Sequence, residues 1–375
     1  MTVKPPFRAD QVGSLLRPAA LQRARAQHDE GELSDGELAR IEDAAIEQLI
    51  ERQQSIGLRC ATDGELRRIT WAYDFLSGFA GIKPVPRAAP PAAQGKSLQQ
   101  SAKGMNLLTV CGKLRFVGSP LLEHFRFLKQ HTRAVPKMTI PCPTMLVSAS
   151  RDWRETVDRN VYPTLDALLQ DLGLAYREAI RAFYDAGCRY LQLDDVNLAY
   201  LCDAGMRQKM QARGDDPDVI LRSWVRGLNL AIAERPADMT ITTHICRGNF
   251  RSAWFAQGGY EAIADTLFNE LNYDGYFLEY DSERAGGFEP LRFLPKGAKR
   301  VVLGLVTSKT GALESRELIR QRLEAAAQFV PLEQLCLSPQ CGFASTAEGN
   351  ELAEEEQWAK LSLLVELAPS IWPDA

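Results

Sequence analysis

The chain has 375 residues, room for one large domain or two ordinary ones, with the 45% hydrophobic and 25% charged content of a soluble globular protein. A net charge of −4 gives no electrostatic reason to expect nucleic acid or an anionic membrane as partner. The opening MTVKPPFRADQVG lacks an apolar signal core and no apolar run approaches membrane-spanning length, so the expected location is cytoplasmic.

In chain order, Ser34-Asp35 reads as the N-cap of a helix through ELARIEDAAIEQLIERQQSI, with Gly57 as its stop. LRCATDGE follows as a short strand and its exit. Residues 83–105, rich in Pro, Ala, Gly and Gln, break the rhythm as a loop or arm. The next run, LLTVCGKLRFVG, is expected to fold as a β-hairpin around Cys111-Gly112-Lys113. Together, residues 83–118 read as an insertion leaning over a barrel mouth, with a plain surface excursion as the alternative. Helix TLDALLQDLGLAYREAIRAFYDAG then feeds strand RYLQLDD, and helix DDPDVILRSWVRGLNLAIAERP feeds MTITTHIC. A helix GGYEAIADTLFNEL is expected before YFLEYD. KRVVLGLV is a strand, ESRELIRQRLEAAAQF leads to QLCLSPQCGF, and ELAEEEQWAKLSLLVELA closes the chain as a helix.

Helix and strand in such alternation predict a parallel sheet buried on both faces. The number of repeats favours a (β/α)₈ TIM barrel over an open doubly wound sheet. No GxGxxG or GxxxxGK[ST] run supports a nucleotide site. The expected fold is therefore an α/β barrel, residues 1–375 as one domain, with an N-terminal extension and an inserted arm or hairpin.

The polar residues fall where strands end. Asp63 and Glu65 close the first strand, Asp194 and Asp195 the RYLQLDD strand, and Glu279 and Asp281 the YFLEYD strand. His244 and Cys246, two apart on one strand, face the same side. Cys341 ends the last strand, whereas Cys336, inside it, reads as a core thiol. In a barrel these ends converge on one mouth. An imidazole, two thiols and a carboxylate suit Zn²⁺, so His244, Cys246, Glu279 and Cys341 are the predicted ligands. The other cysteines, of eight in all and without CxxC pairs, are expected to be buried free thiols.

At these residues the chain resembles the cobalamin-independent methionine synthase family, in its C-terminal catalytic barrel, from Gly13 to about Gly342. The family's H-x-C pair, later glutamate and later cysteine match His244, Cys246, Glu279 and Cys341. Its I-G-S turn is matched by Val12-Gly13-Ser14, its H-G-E segment by Asp63-Gly64-Glu65, and its Q-I-D-E run by Gln192-Leu193-Asp194-Asp195. The resemblance implies a single-barrel, zinc-dependent methyltransferase that converts homocysteine to methionine with a methyl donor of the 5-methyltetrahydrofolate type. It implies that Gly13 and Ser14 hold the amino-acid carboxylate, and that Glu65 and Asp194 hold its ammonium. Glu279 and Asp194 are then the catalytic residues, with Glu279 the ligand that yields to the substrate sulfur. Large relatives carry a second, N-terminal barrel for which this chain has no room. The family's proton-transferring histidine has no counterpart in 304-GLVTSKTGALES-315. Alkyl transfer to another thiol, as in epoxide opening by coenzyme M, is the alternative, but Glu65 and Asp194 suit an ammonium better than a sulfonate needs. A zinc hydrolase would call for more His and Asp ligands than four histidines supply. Trp71 and Tyr73 are candidates for stacking on a planar donor; Arg17 and Lys309 are candidates for meeting a carboxylate.

Overall fold

Seven strands pair side by side in chain order, and every neighbour in that sheet is parallel. They are β1 (Cys60–Ala61), β4 (Val135–Pro141), β5 (Tyr190–Asp195), β6 (Thr240–Ile245), β7 (Gly275–Glu279), β8 (Arg300–Val306) and β9 (Leu335–Pro339). The computed structural model describes residues 4–68, 70–85, 107–344, 346 and 348–375. Strands β5, β6 and β7 are buried along their whole length, as a parallel sheet covered on both faces requires.

The sheet curls, and the stretch expected to be an appended extension completes the curl. Asp10 N–H donates to Leu337 O (2.9 Å) and Leu337 N–H to Arg8 O (2.8 Å), so residues 8–10 run beside β9. On the other side Leu15 N–H donates to Gly64 O (3.1 Å) and Thr62 Oγ1 to Gly13 O (2.7 Å). The N-terminal segment thus spans the gap between β9 and β1 and takes the eighth place of a TIM barrel. Inside, Val12, Phe277, Val302 and Cys336 pack as one apolar cluster, which fits the reading of Cys336 as a core thiol.

Below that cluster lies a buried ion pair. Lys137 Nζ stands 3.2 Å from Asp10 Oδ1, both side chains fully buried, with Tyr190 Oη donating to Asp10 Oδ2 (2.9 Å). The Phe277 ring lies 4.0 Å from the ammonium. Removing one charge leaves the other stranded in low dielectric. Asp10→Asn is therefore expected to cost about 3–5 kcal/mol, read as a lower urea midpoint at unchanged slope. An unchanged midpoint would mean the ammonium is compensated by the Gln11 carbonyl, to which it also donates, and by its ring contacts alone.

Helices over residues 35–55, 165–185, 217–232, 316–327 and 354–367 follow the predicted pattern. Ser34 caps the first in a full capping box with Glu37. Several expectations are corrected. LLTVCGKLRFVG does not turn at Cys111-Gly112-Lys113: Leu107–Phe116 is one strand, β3, pairing antiparallel with β2 (Phe79–Val85). Its alternation serves the helix below it, since Val110 and Leu114 are buried and Phe79 stacks on Tyr176 of helix 165–185 at 5.2 Å. The described part of the predicted 83–118 insertion therefore lies along that helix, bracketed to residues 156–158 by Val110; residues 86–106 lie outside the described residues. The predicted helix in GGYEAIADTLFNEL is a 3₁₀ turn at Tyr260–Ala262 and a π-helical turn at Thr266–Glu270. The wider turn lets Ile263, Leu267, Phe268 and Leu271 all reach the core. Strand β4 and the helices at 19–29, 121–131 and 204–212 were not foreseen. Prolines 136, 141 and 143 disguise β4 as a turn. No helix among the described residues is long and apolar enough to cross a membrane.

Candidate metal centre

The C-terminal ends of the strands meet as a barrel requires. His244 on β6, Glu279 at the end of β7 and Cys341 just after β9 each offer one ligand atom, and these atoms lie within 4.8 Å of one another. All three side chains are buried. Cys246, the first residue beyond β6, falls outside that tight set, but its sulfur stands 3.7 Å from Cys341 Sγ. Two thiolates each about 2.3 Å from a tetrahedral zinc stand roughly 3.8 Å apart. The sulfur pair therefore already has the edge length of a zinc tetrahedron, and the donor set of two sulfurs, an imidazole and a carboxylate fits that ion.

Each predicted ligand has a protein partner behind it. His244 Nδ1 lies 3.4 Å from Asp194 Oδ1, the carboxylate–histidine pairing that orients a ligating ring, and its Nε2 lies 3.3 Å from Gln340 O. Burial would lower the imidazole pKa, but the Asp194 contact and the surrounding negative groups outweigh it and raise it. Glu279 Oε1 accepts from Arg247 N–H (2.9 Å) and Asn249 Nδ2 (2.6 Å), and Oε2 from Arg284 Nη2 (3.0 Å). Burial pushes its carboxyl up, yet Lys309, His244 and Arg284 together hold it below the usual range. The two sulfurs shift one another in opposite directions. The hydrogen bond with Cys341 lowers Cys246 to about 7, and the same bond with burial raises Cys341.

The predicted amino-acid contacts lie on the same mouth. Glu65 occupies the turn after β1 with φ of 60°, a left-handed conformation that costs a non-glycine residue of order 1 kcal/mol or more. Asp63 Oδ1 holds that turn by accepting from Glu65 N–H (3.0 Å). The Glu65 carboxylate accepts from Thr139 Oγ1 (2.7 Å) and stands 3.5 Å from Arg68 Nη1; burial raises its pKa against the pull of Arg68. Gly13, at φ of 148°, leaves no room for a side chain, since a Cβ would lie 2.6 Å from Thr139 Cγ2. Ser14 presses on Gly342, where a Cβ would meet Ser14 Oγ at 1.9 Å, so the Gly13-Ser14 turn and the Cys341 loop are in direct contact. Asp194 receives both Gln192 Nε2 (2.7 Å) and the His244 contact on Oδ1.

The remaining candidates separate. The Arg17 guanidinium donates to the carbonyls of Thr346 (2.8 Å), Glu65 (3.2 Å) and Arg68 (3.0 Å), stapling the β1 and β9 loops together. Lys309 is buried and donates to Gln340 Oε1 (3.0 Å), beside Cys341. Asp195 accepts from the N–H groups of Asn197 (2.6 Å) and Leu198 (3.1 Å) and shapes the loop instead of facing the mouth. Trp71 and Tyr73 line a cavity of about 200 Å³ with Met145, Trp153 and the end of β3. Asn249, Arg284, Thr139 and Arg68 were missed. Of these, only Asn249 carries a sequence signal, its place three residues after Cys246.

The profile of the cobalamin-independent synthase catalytic domain matches residues 137–369. An uncharacterized protein of Bacillus subtilis, YxjG, is 48% identical over 98% of this chain and 96% of its own length. A crystal structure of a putative vitamin-B12 independent methionine synthase from Listeria monocytogenes is 40% identical, covers 99% of both chains and superposes with a TM-score of 0.79. The structure of a B12-independent methionine synthase from Shewanella, in complex with selenomethionine, shares the fold at a TM-score of 0.70 with 19% identity and 97% coverage of each chain. The profile match over more than half of the chain and the barrel it shares with these proteins place the chain in the cobalamin-independent methionine synthase family.

Proposed function

We propose that this protein transfers a methyl group to the thiol of L-homocysteine, giving methionine, in a zinc-dependent reaction with a donor of the 5-methyltetrahydrofolate type. The observation that carries this reading is the 3.7 Å sulfur pair beside His244 and Glu279, on the same mouth as the Glu65 and Asp194 carboxylates. Zinc held by His244, Cys246, Glu279 and Cys341 would favour the thiolate form of the substrate at neutral pH. The chain's residues do the rest. Glu65, anchored by Thr139, and Asp194 receive the substrate ammonium, and Ser14 with the Gly13 turn receives its carboxylate. Asp194 also fixes the His244 ring. The flat walls of Trp71, Tyr73 and Trp153 give a planar donor a surface to lie on. A donor amine must gain a proton as its C–N bond breaks, and Lys309, the basic residue of the loop after β8, brings an ammonium there. One barrel mouth serves the whole reaction, which supports residues 1–375 working as a single catalytic unit.

Zinc-edge X-ray absorption with and without L-homocysteine tests the reading. The expected result is two sulfurs and two light atoms at rest, and three sulfurs with substrate. A zinc shell indifferent to homocysteine would remove the amino-acid assignment; protein that holds no zinc would remove the mechanism.

A further inference from the structure

Resting on that reading, a second question is what becomes of Glu279 when a substrate sulfur takes a place among the ligands. Its side chain is fully buried. A carboxylate that lets go of a cation in such a place becomes an uncompensated charge, one of the costliest things a protein interior can hold. Unless something receives it, Glu279 stays where it is and the thiol is excluded.

The structure holds a receiver. Asn249 Nδ2 lies 2.6 Å from Glu279 Oε1, Arg247 N–H adds a second donor at 2.9 Å, and Arg284 Nη2 takes Oε2 at 3.0 Å. Asn249 Nδ2 also reaches Cys246 Sγ at 3.4 Å, so one amide group touches both a ligand that must stay and the one that must move. Arg284 is itself fixed, by Asp281 at 2.6 Å, Ser282 at 2.8 Å and the Trp254 ring at 4.9 Å. A guanidinium on one oxygen and two N–H donors on the other satisfy a carboxylate without a metal. Toward Cys246 the same amide is a neutral donor at 3.4 Å, whereas Glu279 also meets a guanidinium.

We propose that Asn249 and Arg284 form a cradle that receives the Glu279 carboxylate as the substrate sulfur binds. Both are positioning residues: they act on the substrate through Glu279 and touch neither reactant. The site then keeps His244, Cys246 and Cys341 throughout, and the energy of the Arg284–Glu279 contact offsets the ligand that is lost.

The test is the zinc shell of the Asn249→Ala/Arg284→Met double variant, loaded with zinc and titrated with L-homocysteine beside the native protein. The expected double variant keeps its zinc, with two sulfurs and two light atoms, and binds homocysteine at least ~10-fold more weakly, a loss in line with removing charge-assisted hydrogen bonds. At homocysteine concentrations that bring a third sulfur into the native shell, the variant shell stays at two. Asn249→Ala and Arg284→Met alone give intermediate losses, and Arg284→Lys, which keeps the charge, restores most of the affinity. A third sulfur entering the variants as readily as the native protein overturns the cradle and leaves the zinc–thiol reading standing. Single variants that fold but no longer hold zinc also overturn it, because the two residues would then be building the site instead of releasing a ligand. Native protein that never gains a third sulfur overturns the reading on which the cradle rests.

Discussion

Cys341→Ala protein is expected to purify with almost no zinc and to make no methionine. Zinc held in a four-ligand site is worth about 10–16 kcal/mol. Shared among four ligands that is roughly 2.5–4 kcal/mol each, so losing one sulfur weakens binding by on the order of 10²–10³. Cys341 has more to lose than its neighbours. It stands 3.7 Å from Cys246 and belongs to the tight set with His244 and Glu279, so its removal opens the cluster at its centre. The comparison that gives the result meaning is Cys336→Ala. That thiol lies in the apolar cluster with Val12, Phe277 and Val302, five residues away in sequence and fully buried. It should keep full zinc and lose only stability, by about 1–2 kcal/mol for the small cavity left. Metal analysis on both proteins after dialysis against a weak chelator reads the difference. Equal zinc in the two would mean that the cysteine pair is a packing feature and that the ligands lie elsewhere.

How much of this could be read without coordinates depended on how local the physics was. His244 and Cys246 were legible because side chains alternate along a strand, and Glu279 and Cys341 because parallel strands in a barrel end at one mouth. These rules need only the strand and its direction. Strand β4 escaped because Pro136, Pro141 and Pro143 look like turn residues, although Pro136 is the second residue of the strand and Pro141 ends it. Missing β4 hid Thr139, the hydroxyl that holds Glu65. The role of residues 8–15 was equally out of reach. Its hydrogen bonds go to Leu337 and Gly64, partners more than 300 residues apart in one case, and nothing in ADQVGSLLRP distinguishes a closing segment from an appended one. Asn249 sits on a loop with positive φ at Arg251 and Ser252, neither of them a glycine, and Arg284 sits in a 3₁₀ turn at Glu283–Ala285. Pattern reading expects glycine at turns such as the first, so it could not aim Asn249 at Glu279.

The second large effect concerns recognition of the amino group, and Glu65→Gln is the substitution that isolates it. Glutamine keeps the shape of Glu65 and can still accept from Thr139 Oγ1, the hydrogen bond that holds the native carboxylate at 2.7 Å. What it lacks is the charge. Hydrogen bonds to charged groups are worth about 1.5–3 kcal/mol, so KM for homocysteine should rise roughly 10- to 150-fold. The zinc content should not change, because Glu65 is not among the clustered ligand atoms. A general loss of folding or of metal would weaken every thiol alike, so the decisive measurement uses two. Native protein is expected to bind L-homocysteine far better than 4-mercaptobutanoate, which has the same thiol and carboxylate and no amino group. In Glu65→Gln that preference should largely vanish, with 4-mercaptobutanoate binding as well as it does to native protein. If the preference survives, the ammonium is held by another group, and Asp194, whose hydrogen bonds both fall on Oδ1, is the carboxylate to replace next. If both thiols weaken equally, the strained turn at Asp63-Gly64-Glu65 is shaping the mouth as a whole and Glu65 is not reading the amine.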